Sequence, residues 1–250
     1  MATNLKKSWI KIILFIAVSI YSMQSYGQDM LTATLANQQI HDFQRERIRS
    51  EYEQWKSEHG SPAETKTKTT ASRNLSDFTF TKNNAVIKEV EAKIIANMKQ
   101  KNATTGKNLE AALKRDNPYV GYMNLMKKLG LNAEENYADV FTAYMLGMWR
   151  IANKKDNNPS SAQIEAVRKQ VIGTINVTGL NSKQRQEKAA YLIYDLIFAN
   201  EPYESSRKTN NAQGLQNDSD LVYKRFLEQN NLDLRKTQIG KDGFSKDHSD

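Results

Sequence analysis

Glu135 and Asp139 stand four residues apart, so on a helix they share one face. A protonated and an ionised carboxyl about 5 to 9.5 Å apart can cleave a glycosidic bond, which makes the pair a candidate acid and base. The same positions have a structural explanation. Carboxylates in the first turns complement the helix dipole, and Glu135 follows Asn132 at capping-box spacing. Asp195 is a third candidate, because the stretch Ala189 to Ala199 holds no other charge and a lone buried carboxylate is costly unless paired. Either it marks a polar site inside the protein or it makes a structural ion pair. The expected partner is Arg150, the one charge between Val140 and Ala152, with the Tyr144 hydroxyl as the alternative. Tyr144 and Trp149 are core anchors on one reading and ligand-contacting aromatics on the other.

Other chemistries are poorly supplied. The 250 residues contain no cysteine, which excludes a thiol nucleophile, a disulfide scaffold and a cysteine-ligated metal. His41, His59 and His248 lie toward the two ends of the chain, so no HExxH pair or three-histidine set can form in the middle. There is no GxSxG elbow, P-loop or GxGxxG. Neither a metal nor a cofactor is expected.

The elements that would carry these residues read as helices. Ile87, Val90, Ile94 and Met98 mark a first stripe, and Leu109 with Leu113 a short second one. Asn117-Pro118 opens a third helix that Gly130 closes, and Asn132 with Glu135 would open a fourth. Ser160 with Gln163 and Asn181 with Gln184 give two more capping boxes, and Leu215, Val222 and Phe226 mark a seventh helix. Strand alternation is nearly absent, although the short FTFT at 78–81 could be extended. Residues 140–152 and 189–199 are apolar nearly all round, as helices at the centre of a bundle are. Gly147 within the first of them costs about 1 kcal/mol relative to alanine, which implies close approach of a neighbouring helix. The expected fold is therefore all-α, an irregular bundle of six or seven helices around two central ones.

Residues 1–27 have the form of a secretory signal. Lys6, Lys7 and Lys11 precede an apolar run of 12 residues, and Ser25 and Gly27 fit the −3 and −1 positions of a cut before Gln28. The run is short for a bilayer span, which takes about 20 residues, so no stable membrane insertion is expected after cleavage. Removing the leader lowers the net charge from +8 to +5. The remaining charges alternate in sign, as in KEVEAK, which describes a solvated surface rather than a nucleic-acid face. Residues 28–59 read as an amphipathic helical segment bearing Ile40, Phe43, Ile48, Tyr52 and Trp55. Residues 60–79 read as a flexible linker rich in Thr, Ser and Lys, 80–244 as the helical domain, and 245–250 as a tail.

The stretches NAEENYADVFTAYMLGMW, NPSSAQIEAVRKQV and LDLRKTQIGKDGF carry a resemblance. Ala138, Asp139, Val140, Thr142, Ala143, Tyr144, Trp149, Pro159, Ser160, Ala162 and Gln163 resemble the pattern of a family of exported bacterial proteins known only as a domain of unknown function. The resemblance spans roughly residues 80 to 244 and implies an all-helical exported domain without implying an activity. The chain departs from that pattern in its polar stretch at 209–220. Two functional classes follow. The first is a non-catalytic binding module, periplasmic or secreted, whose partner is an envelope or secreted protein or another envelope component. The second is an envelope-polymer hydrolase using paired carboxylates. Intact-mass measurement of the exported protein should give a chain beginning at Gln28, and a secreted species retaining Met1 would contradict the reading of the leader.

Overall fold

The structure, a computed structural model, describes residues 74–230 and 232–246. The expected leader, the segment 28–59, the linker up to residue 73 and the tail from residue 247 lie outside the described residues. Seven helices follow one another: α1 (Asn84–Lys101), α2 (Ala103–Asp116), α3 (Pro118–Lys128), α4 (Tyr137–Ala152), α5 (Ser161–Thr174), α6 (Ser182–Lys208) and α7 (Ala212–Asn230). A small antiparallel hairpin, β1 (Thr237–Gly240) and β2 (Gly243–Lys246), closes the described chain. The protein is an all-α multi-helix bundle. Among the described residues no helix is long and apolar enough to cross a membrane.

The caps explain most helix starts. The Ser160 and Asn181 side chains accept from the backbone N–H groups of Gln163 and Gln184, and those glutamines reach back to complete both boxes. Pro118 occupies the first turn of α3, where its missing N–H costs nothing. Asn117 before it caps with no side-chain bond. It takes a left-handed conformation (φ 41°), which asparagine tolerates, and so turns the chain from α2 into α3.

The fourth helix starts later than its sequence suggests. Asn136, not Asn132, is the cap, and its side chain accepts from the N–H groups of Ala138 and Asp139. Residues 132–135 are held as a turn by buried Leu131 and Ala133 and by an isolated bridge between Asn136 and Thr79. That bridge also corrects the linker boundary. Residues Leu75–Phe78 form a 3-10 turn, Phe78 is fully buried, and Arg185 donates to the carbonyls of Asp77 and Thr79. The folded domain thus begins by residue 74.

α4 and α6 are the centre. They run side by side in the same direction, since Tyr144 meets Asp195, Gly147 meets Leu196, and Arg150 meets Glu204. Gly147 is what allows the contact, because a Cβ there would lie 2.4 Å from a Leu196 methyl. α7 packs on both helices, α1 on α6, and α5 on α4. α5 also carries the hairpin: Gln170 donates to the Phe244 carbonyl at 2.9 Å and accepts from the Phe244 N–H at 2.8 Å.

α1 and α2 form a tight helical hairpin. A Cβ at Gly106 would fall 2.5 Å from the Lys99 backbone nitrogen and 2.6 Å from its Cα, atoms that cannot swing aside. Gly106→Ala should therefore destabilise the protein by about 1 to 3 kcal/mol in urea denaturation, although alanine is the better helix former by about 1 kcal/mol. A variant as stable as the wild type would show that the hairpin can open without cost.

Candidate functional site

Of the six residues singled out from the sequence, Tyr144 and Asp195 come together and the others fall into separate places. Asp139 is 1% exposed and fully engaged. Arg168 on α5 donates to its two oxygens at 2.8 and 3.2 Å, and the Asn132 N–H donates to it at 2.6 Å. Arg168 also reaches the Gly130 carbonyl, so the carboxylate fastens α5 to the α3–α4 connection. Glu135 stays on the surface, and its contact is a long one from Asn132 at 3.5 Å. The two acids do not converge on a pocket, and the acid–base pair expected of them is not formed.

Asp195 is 0% exposed and does not pair with Arg150. Its partner is Arg225 of α7, whose Nη1 donates to both carboxylate oxygens at 2.8 and 3.1 Å. The Tyr144 hydroxyl donates to the same carboxylate at 2.8 Å, as the alternative reading allowed. Burial pushes that hydroxyl well above its ordinary pKa, so it remains a donor at any working pH. Arg225 donates also to the Met148 sulfur at 3.2 Å. Trp149 is a structural anchor: its indole N–H donates to the Thr237 carbonyl at 2.8 Å and holds the start of the hairpin.

Arg150 comes closest to a site. Leucines, alanines and methionines of α2, α3, α4 and α6 surround a groove of about 1190 Å³, and Arg150 lies in its floor. Its Nη2 donates to Asn200 Oδ1 at 2.5 Å and to Glu204 Oε1 at 2.7 Å. Arg207 holds the other Glu204 oxygen at 3.0 and 2.7 Å. Burial works to raise the Glu204 carboxyl, but the bonds from Arg207 and Arg150 outweigh it and keep the group below the ordinary carboxylate range. Asn200 Nδ2 donates to the Tyr122 hydroxyl at 2.6 Å, which leaves that hydroxyl's proton for Glu201. Desolvation by the groove wall raises the Glu201 carboxyl although the residue stands at the rim. The Tyr122 hydroxyl is raised as well, first by burial and then by the charge of Glu201.

Seven residues of this site and its supports were missed: Arg168, Arg225, Tyr122, Asn200, Glu201, Glu204 and Arg207. A signal existed for two of the arginines. Arg168 stands four after Ile164 and three before Val171, and Arg225 three after Val222, so both fall on the buried stripes of their helices. Asn200 and Glu204 are four apart and share a face. The buried Ser206–Asp218 bond at 2.9 Å between α6 and α7 left no comparable mark. Among the described residues no group of three or more His, Cys, Asp or Glu could hold a metal ion.

Replacing Asp195 by alanine should cost about 3 to 5 kcal/mol, because it leaves the Arg225 charge buried. In double-mutant cycles Asp195 should couple strongly to Arg225 and add within about 0.5 kcal/mol to a change at Arg150. A large Asp195–Arg150 coupling would contradict the geometry. No protein-family model matches the chain, and neither a curated protein nor a solved structure shows significant similarity to it.

Proposed function

We propose that this chain is an exported, non-catalytic helical module of the cell envelope or secreted fraction. It binds a component of that compartment in the groove between the α2–α3 arm and the α4–α6 floor. The observation that carries the reading is the groove itself, about 1190 Å³, where aliphatic and polar side chains share the lining and more apolar than polar surface is exposed, with Leu125 41% exposed on one wall. A concave, mostly apolar site with a few convergent polar groups is the usual form of a binding pocket. The basic start, short apolar run and small residues before Gln28 support export, and the resemblance of residues 80–244 to exported bacterial domains agrees with it.

A specific observation favours hydrolysis as a second reading. Glu201 and Glu204 both line the groove and are shifted in opposite directions, the pattern of an acid and a base. Against it, both Glu204 oxygens already accept from arginines, Oε1 once and Oε2 twice, which ties the carboxylate up as an ion-pair partner and makes it a weak base.

Gly121 provides the test. It lines the groove, and a Cβ placed on it meets no atom within 4 Å, so a large side chain there fills the groove without disturbing the core. The wild type should bind the uncharged apolar dye Nile red, and Gly121→Trp should weaken that binding by about tenfold or more, roughly 1.4 kcal/mol, at unchanged melting temperature. Equal binding by both proteins would rule the groove out. Turnover of purified cell-wall glycan by the wild type, lost in Glu201→Gln, would replace binding by hydrolysis.

A further inference from the structure

The groove is polarised along its length. On α4 the lining passes from Ala143 and Leu146 to Arg150, and on α6 from Leu196 and Ile197 to Asn200 and Glu204. α3 lies across from them: the Tyr122 hydroxyl meets Asn200 at the polar end, and Leu125 and Leu129 lead to Gly130, whose carbonyl Arg168 ties to Asp139 in the first turn of α4. One end is thus aliphatic on the α3, α4 and α6 walls, with Asn108 of α2 as a polar exception, and the other carries most of the hydrogen-bonding groups. From Leu196 to Lys208 the helix rises about 18 Å, which sets the length of what the groove can accommodate.

The polar end carries no surplus charge. Arg115, Arg150, Arg207 and Lys208 face Asp116, Asp156, Glu201 and Glu204, four of each sign. These charges are largely satisfied among themselves. Arg115 pairs with Asp116 at 2.8 Å, Arg150 and Arg207 share Glu204, and Lys208 acts on Glu201. A charged ligand head would meet one like-signed group for every opposite one and would have to break an existing pair to gain a contact. An uncharged head meets no such opposition. The second amide N–H of Asn200 and the remaining lone pair of the Tyr122 hydroxyl are left over from the bonds described above, and with Asn158 and Ser205 they are the neutral donors and acceptors of this end. Pro202, in the same lining, has no N–H to give the Phe198 carbonyl, which adds an acceptor beside them.

We infer that the groove binds an uncharged amphiphile, its aliphatic chain lying toward Leu125 and Leu129 and its hydroxyl- or amide-bearing head against Tyr122 and Asn200. The inference rests on the binding role of the groove proposed above and names the class of ligand. In the envelope the chemistry corresponds to acylated sugars and neutral lipids rather than to fatty acids, phosphate esters or quaternary amines.

Isothermal titration of the full exported chain with three dodecyl compounds below their micelle concentrations tests it: dodecyl maltoside, dodecyl sulfate and dodecyltrimethylammonium. The maltoside should bind one per chain and most tightly. Gly121→Trp and, at the apolar end, the solvent-exposed Leu125→Asp should each weaken it by about tenfold or more, with helical content by circular dichroism unchanged. Tyr122→Phe should weaken the maltoside by about tenfold while leaving Nile red binding intact, since only the head loses a bond. A charged analogue that binds as tightly as the maltoside, at a site both groove variants block, would overturn the neutral head while the groove reading stands. Absence of binding by all three, with Nile red binding still sensitive to Gly121→Trp, would overturn the amphiphile and leave the groove. Maltoside binding that neither groove variant changes would overturn both.

Discussion

Asp195 imposes the constraint on which the bundle depends. A carboxylate with no exposed surface in the most apolar stretch of the chain must find a cation and fill its remaining lone pairs, or the helix holding it cannot be buried. Arg225 supplies the cation from α7 and Tyr144 the hydrogen bond from α4. One side chain thereby fixes the relation of three helices, and with it the rotation of α4 that brings Gly147 under Leu196. Apolar packing of α4 on α6 would tolerate several rotations, because leucines and alanines interdigitate in more than one register. A buried carboxylate with two obligatory partners tolerates one.

The outer elements are fastened in the same manner, by buried polar side chains reaching from one element to the backbone of another. Asp139 and Arg168 join α5 to the turn after α3, Gln170 holds the hairpin, and Gln186 exchanges two hydrogen bonds with the Asn83 backbone at the start of α1. α2 and the far side of α3 lack such a fastening to α5. The groove is the space left there, and among the described residues its floor is formed by α4 and α6.

The helices were legible because their stripes and caps are local. Ser160, Gln163, Asn181 and Gln184 act within one turn of chain, and Pro118 needs no distant partner. What failed was the choice between candidates at long range. Asn132 and Asn136 both suit a cap, and the decision fell to Asn136 because Thr79 bridges to it from nearly sixty residues away. The buried Asp195 was legible as a charge requiring a partner, but its partner was not. Arg150 was expected to pair with Asp195 because Glu204 and Asn200, which hold it in the structure, lie beyond the apolar stretch that ends at Ala199. The groove itself could not be read, because a cavity is a property of how helices are placed and no single stripe encodes it.

Pro202 bears on why that end of α6 is built as it is. Of the prolines in the described residues, Pro118 opens a helix, Pro159 precedes one, and Pro202 alone lies inside one. An interior proline costs about 3 kcal/mol in an isolated helix, through the lost bond and the clash with the carbonyl four residues earlier. The penalty falls where one face of α6 is still buried through Tyr203 and Ser206 while the other lines the polar end of the groove with Asn200, Glu201 and Glu204. At the capping boxes local preference and tertiary structure agree, whereas Gly106 and Gly147, like Pro202, are unfavourable within their helices, and close packing accounts for both glycines. A locally unfavourable residue persists most readily where tertiary structure or a site compensates it, and Pro202 stands among the residues that line a polarised concavity.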